Sequence, residues 1–244
     1  VADIADYYRS LCEGAEMNRA GSNETMRILL FGATGMVGQG VLRECLLDPE
    51  VEILVSVARG STGRQHPKLR EALHHDFLDF SSLESQLSGF DACFFCLGVS
   101  SAGMSKENYR RITFDFTLAA ARMLVKLNPN MTFVYVSGAG TDGSGRGRSM
   151  WARVKGKTEN ELLRLPFRAA YMFRPGVIVP LHGVQSKTKL YRMFYTLLGP
   201  VLPSLQRRFP RYVTSTEQIG LAMLRVAKQG WPKPVLETID INHV

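Results

Sequence analysis

From Met26 onward, short runs of apolar residues alternate with longer stretches whose apolar positions recur at helical spacing. MRILLFG reads as a strand buried on both faces, and VGQGVLRECLL as the helix after it. The alternation continues through the strand VEILVSVA, the short strand EALHHDF, the strand DACFFCLG, the helix YRRITFDFTLAAARMLVKL, and the strands MTFVYVSG and FRAAYMFRPG. Two further helical stretches precede a last strand, predicted in VLETIDI. Strand and crossover-helix units in series predict a doubly wound α/β parallel sheet flanked by helices.

With 244 residues and 45% hydrophobic content, the chain can bury one substantial core. Residues 26–244 are therefore expected to form a single domain, in which about 177–230 completes a substrate or partner site. The stretch 1–25, VADIADYYRSLCEGAEMNRAGSNET, has neither the basic start nor the apolar core of a signal peptide. An expression remnant, an upstream extension and an amphipathic helix are all open for it. Four cysteines, at 12, 45, 93 and 96, show no disulfide framework, so a reducing cytoplasm is expected. No apolar run reaches the roughly 18 residues of a membrane span. The 30 Lys plus Arg against 22 Asp plus Glu give a net charge of +8, which favours anionic partners without choosing among nucleotides, phospholipid and nucleic acid.

FGATGMVGQG narrows that choice. Gly32, Gly35 and Gly38 stand in GxxGxxG spacing between a strand and a helix, where the backbone turns tightly and aims bare amides at a pyrophosphate. The second strand ends at Arg59, with Arg64 close by. A carboxylate there would hold a ribose 2′-hydroxyl, whereas a guanidinium grips a 2′-phosphate, so NADP(H) is expected over NAD(H). Asp76 in HHDF is placed either to accept from an adenine amino group or to cap its strand.

GATGMVG, the strand ending in Arg59, Asp76, CFFCLG, VYVSGAG, the lysine of WARVK and FRPG together resemble the atypical or extended short-chain dehydrogenase/reductase superfamily, over nearly everything from Met26 onward. Within it the chain is similar to NAD(P)-binding epimerase/dehydratase-like proteins and to the Tat-interacting protein group. The resemblance implies a Rossmann-type fold with the dinucleotide along the strand C-termini. Its cofactor contacts would come from Gly32, Thr34, Gly35, Met36, Val37 and Gly38, from Arg59, Arg64, Asp76 and Phe77, and from Cys96, Leu97 and Gly98. Lys155, Pro175, Gly176 and Val177 would complete the set. Ser137 is the candidate catalytic serine, and Ser100 and Ser101 would face the substrate.

In such enzymes a YxxxK tyrosine and lysine lie one helical turn apart, the lysine lowering the pKa of a phenol that passes the proton. WARVK puts Trp151 at the tyrosine position and Lys155 at the lysine position. An indole N–H donates a hydrogen bond but does not release its proton. No other YxxxK exists, and no tyrosine lies between Tyr135 and Tyr171. Two functions follow: an oxidoreductase on an unknown carbonyl or alcohol, or a non-catalytic NADP(H)-binding sensor or scaffold. Asp115, where the family usually has asparagine, reads as a supporting residue.

Other features have bland explanations. Cys93 and Cys96 point to opposite faces of a strand, as do His74 and His75, so neither pair suits a metal. His182 is either a loop residue or a substitute acid. No acidic residue occurs between Glu161 and Glu217, and the basic apolar segment 187–211 suits a protein partner, a membrane surface or ordinary packing. Nucleic acid is not expected, since no reading motif accompanies the charge.

Overall fold

The computed structural model describes residues 25–184 and 208–244. Seven parallel strands form one sheet in the order β3-β2-β1-β4-β5-β6-β9. They are β1 (Met26–Phe31), β2 (Val51–Ala58), β3 (Leu69–Leu73), β4 (Ala92–Phe95), β5 (Thr132–Val136), β6 (Ala169–Arg174) and β9 (Val235–Glu237). The order reverses between β1 and β4, and ligands of such sheets bind outside the strand ends at that switch point. A separate parallel pair joins β7 (Val177–Val179) to β8 (Val213–Ser215).

Alternation along each strand divides the core into two layers. Ile28 and Leu30 face α1 (Met36–Leu47) and α5 (Thr216–Gln229), alongside Val41, Leu42, Ile219 and Met223. Leu29 and Phe31 face the other way, toward α3 (Phe116–Leu127) and α4 (Met150–Leu162), with Leu118, Leu124 and Leu162. Because both faces are covered, the central strands read as continuous apolar runs. The doubly wound sheet expected from the apolar pattern is the fold observed.

Three local expectations change. The third strand lies two residues earlier than EALHHDF suggests, so His74 and His75 fall beyond its end. The long helix predicted from Tyr109 is broken into α2 (Lys106–Arg110), a π turn (Arg111–Asp115) and α3. Only Val235–Glu237 of VLETIDI is strand. From Thr238 the chain is the helix α6 (Thr238–His243), because the side chains of Glu237 and Asp240 cap each other's backbone amides. Residues 1–24, and nearly all of the basic apolar segment 187–211, lie outside the described residues.

Helices α1 and α5 meet where side chains are absent. A Cβ on Gly40 would lie 2.6 Å from the Thr216 Cβ, and one on Gly220 would lie 2.7 Å from the Glu44 side chain. Gly40→Ala is therefore expected to destabilise the fold by about 1–3 kcal/mol through overpacking, read as a lower urea midpoint at unchanged slope.

Candidate active site

The chain leaves β1 through Gly32, at φ +80°, a conformation glycine adopts without steric cost. A Cβ there would lie 2.7 Å from both the Cys96 carbonyl carbon and the Leu97 nitrogen, so the loops after β1 and β4 touch backbone to backbone. The Cys96 amide donates to the Phe31 carbonyl at 2.9 Å. On Gly38 a Cβ would come within 2.0 Å of the Gly32 carbonyl oxygen, so α1 starts pressed against the turn. Gly35 caps α1 without a side-chain bond, no acidic residue stands in the first turn, and the Thr34 carbonyl accepts from Gln39 Nε2 at 3.2 Å. The amides of Met36, Val37 and Gly38 thus have no intrahelical acceptor, and with the helix dipole they suit an anion. Beside them Gly98 borders open space, with nothing within 4 Å of where a Cβ would stand.

At the next strand ends the side chains are less committed to a ligand. Arg59 and Arg64 are both exposed. Between them the Thr62 amide and hydroxyl both donate to Glu71 Oε1 at 2.6 Å. The Thr62 hydroxyl leads in holding the Glu71 carboxyl below its usual value, so a fixed negative charge closes this loop. Asp76 Oδ1 accepts from the Leu78 amide at 2.9 Å in the turn beyond β3. Phe77 is 3% exposed and packs edge-on against Phe80 and Phe31, so its ring belongs to the core. His74 Nε2 lies 2.6 and 2.7 Å from the Asp76 and Asp79 carbonyls and organises the same loop.

Ser137 and Lys155 are brought together at the end of β5. Lys155 Nζ donates to the carbonyls of Val136 at 3.3 Å and Ser137 at 3.2 Å, and stands 5.3 Å above the Tyr135 ring. Burial pushes the Lys155 ammonium down to about 8, against an opposing pull from Glu159. Ser137 is nearly buried, with its Oγ 2.9 Å from Thr141 Oγ1, which in turn donates to the Gly138 carbonyl at 2.7 Å. Trp151, one turn before Lys155, is half-buried, and its ring lies 3.7 Å from where a Cβ on Gly140 would stand. Gly156 admits no side chain, since a Cβ would come within 1.9 Å of the Asp142 carbonyl; the loop after β5 is clamped onto α4 there.

Sequence reasoning missed what holds this lysine. Glu159, one turn beyond it and 1% exposed, is gripped by Arg174 through Nε at 3.0 Å and Nη2 at 2.5 Å. Arg174 Nη1 reaches Glu237 at 3.1 Å, tying α4, β6 and β9 together. The spacing of Trp151, Lys155 and Glu159 at i, i+4 and i+8 was the available signal, since it places all three on one helical stripe.

The FRPG turn is stitched on both sides. The Pro175 carbonyl accepts from Ala139 at 2.9 Å, the Gly176 amide donates to Thr238 Oγ1 at 2.8 Å, and the Val177 amide donates to the Tyr212 carbonyl at 2.8 Å. A Cβ on Gly176 would lie 2.5 Å from that carbonyl oxygen. His182, at φ 55°, pairs with Glu217 at 2.6 Å on the first turn of α5. Asp115 pairs with Arg110 at 3.3 Å, in keeping with a supporting role. Cys93 lies in one core layer and Cys96 packs against the other.

Residues 28–168 match the model of the NAD dependent epimerase/dehydratase family. The chain belongs to that family. Family relatives include protein fmp52-2, mitochondrial, of Aspergillus oryzae, 26% identical over 87% of this chain and 93% of that protein. Protein HTATIP2 of Rattus norvegicus is 25% identical over 62% of this chain and 62% of that protein. Among solved structures, the Bordetella bronchiseptica enzyme WbmF in complex with NAD+ superposes with a TM-score of 0.62 at 14% identity, covering 91% of this chain and 78% of that one. That likeness is one of fold.

Two expectations are overturned. The preference for NADP(H) over NAD(H) does not stand, because WbmF is held with NAD+ in two structures. In the loop after β2, Arg59 and Arg64 are exposed, and Thr62, between them in sequence, is bonded to the Glu71 carboxylate, a negative charge that a 2′-phosphate would meet unfavourably. A cytoplasmic location does not stand either, since relatives from Scheffersomyces stipitis, Candida albicans and Debaryomyces hansenii as well as Aspergillus oryzae are named mitochondrial. Free thiols report a reducing environment and not one compartment.

Arg174→Met is expected to cost about 3–5 kcal/mol of stability, because it leaves the Glu159 carboxylate buried and unpaired. Adding Glu159→Gln should recover most of that loss in urea denaturation, whereas additive losses would show that the pair is not coupled.

Proposed function

We propose that the chain is an NAD(H)-dependent oxidoreductase of the short-chain dehydrogenase type, acting on a carbonyl or alcohol substrate. The observation that carries this reading is the glycine cradle, in which side chains are excluded at Gly32 and Gly38 while the first amides of α1 and the space beside Gly98 are left free. Such a cradle fits a pyrophosphate better than any side chain of the protein itself. When bound, the dinucleotide supplies or accepts a hydride.

The chain's own residues then have separable roles. Met36, Val37 and Gly38 hold the pyrophosphate with backbone amides. Lys155 keeps one N–H bond beyond the two given to carbonyls, directed to the ribose or the substrate. Because the Thr141 hydrogen is committed to the Gly138 carbonyl, Ser137 donates to Thr141 and offers lone pairs, which suits a substrate hydroxyl. Trp151 walls the pocket. The names of the fungal relatives support a mitochondrial site of action.

Gly98→Leu tests this reading without disturbing the fold, since a side chain there meets no protein atom nearby. NADH fluorescence should report binding to the wild type and at least a roughly tenfold weaker affinity, about 1.4 kcal/mol, in the variant, with little change in Tm. A wild-type protein that leaves NADH fluorescence unchanged at millimolar concentrations would sink it.

A further inference from the structure

We propose that Lys155 itself carries the substrate's proton, as a catalytic residue in place of the missing phenol, and that Glu159 and Arg174 are positioning residues that leave it free to do so. The proposal rests on the oxidoreductase reading above.

Trp151 cannot serve, because an indole N–H does not ionise in this range. Neither can the buried tyrosines among the described residues. Tyr109 and Tyr135 are 2% and 1% exposed, and burial raises both phenols above their ordinary value, Tyr135 strongly. Tyr212, itself two-thirds exposed, meets the FRPG turn through its carbonyl. Lys155 instead stands at the end of β5, and among the described residues it is hydrogen-bonded to two neutral carbonyls and to no other group.

What decides its behaviour is the direction in which Glu159 faces. A carboxylate one turn along the helix would ordinarily pair with the ammonium and keep it charged. Here both Glu159 oxygens are taken by the Arg174 guanidinium. Tyr135 on β5 lies under the Lys155 ammonium and Glu159 stands one turn on along its own helix, held by Arg174 on β6, while Asp115 on the π turn is paired with Arg110. With both its oxygens held by Arg174, Glu159 offsets only part of the desolvation, and burial pushes the Lys155 ammonium down to about 8. In the reducing direction a bound reduced dinucleotide would supply the hydride to the carbonyl carbon and be left oxidised; as the C=O π bond opens, one N–H bond of the Lys155 ammonium breaks and its proton forms the substrate O–H. Lys155 is left as a neutral amine until water reprotonates it.

Trace acetylation with acetic anhydride across pH 6–11, read by mass spectrometry, measures each lysine's titration in the intact protein. Lys155 should label with a midpoint near 8, well below that of an unperturbed lysine side chain. Arg174→Gln, which frees the Glu159 carboxylate, should move the Lys155 midpoint upward. Glu159→Gln, which removes that carboxylate, should move it downward; that variant keeps the test decisive if Arg174→Gln does not fold. With 4-nitrobenzaldehyde as carbonyl probe, NADH oxidation should fall above the same midpoint as the ammonium is lost. Failure of NADH to bind counts against the dinucleotide reading. Bound NADH together with ordinary Lys155 labelling, no reduction of the probe, or a flat rate profile through pH 8 overturns the proposal alone.

Discussion

The architecture depends on one contact in which no side chain takes part. Where the sheet order reverses, the turn after β1 lies against the turn after β4 with a peptide-to-peptide approach that a Cβ at Gly32 would prevent. The first turn of α1 is seated on the same turn by the lack of a Cβ at Gly38. These two absences set where the helix N-terminus points and how near a ligand can approach it. Apolar burial holds the layers together, but the missing methyl groups determine that the crevice has backbone amides at its floor.

A second constraint governs the other end of the crevice. Helix α4 is fixed to the sheet by Glu159 and Arg174, and to its preceding loop by the close approach at Gly156. A buried ion pair is weak evidence for stability, because desolvation offsets much of its attraction. It is better evidence for geometry. Arg174 holds Glu159 from β6 and Glu237 from the end of β9, so the orientation of the stripe bearing Trp151 and Lys155 is set by three elements at once.

The apolar runs and glycine spacing made the sheet and the cradle legible, because both are local in sequence and each strand, buried on two faces, leaves an unambiguous pattern. The end of the chain was misread for a related reason. VLETIDI has strand-like composition, and only the reciprocal capping of Glu237 and Asp240 turns it into a helix after three residues. The Glu159–Arg174 pair joins residues 15 apart on different elements, so no local pattern announces it. Arg59 and Arg64 misled because a charge count does not show that Glu71, on the neighbouring strand, reaches back to Thr62 between them. Side chains whose meaning depends on a partner across the sheet are the ones that sequence spacing describes least well.

Trp151 takes a different meaning in this setting. A tyrosine at this position would need a lysine with a firm positive charge beside it, since that charge is what stabilises a phenolate. The lysine present is desolvated, bonded to neutral carbonyls and deprived of its helical carboxylate, which is a poor arrangement for activating a phenol. The indole and the weakened ammonium therefore belong together. An indole at Trp151 makes no demand for a permanent cation, and the pairing of Glu159 with Arg174 suits the proton-carrier role proposed for Lys155. The side chain at Trp151 is thus matched by the surroundings of Lys155, at one end of a crevice whose other end is the glycine cradle.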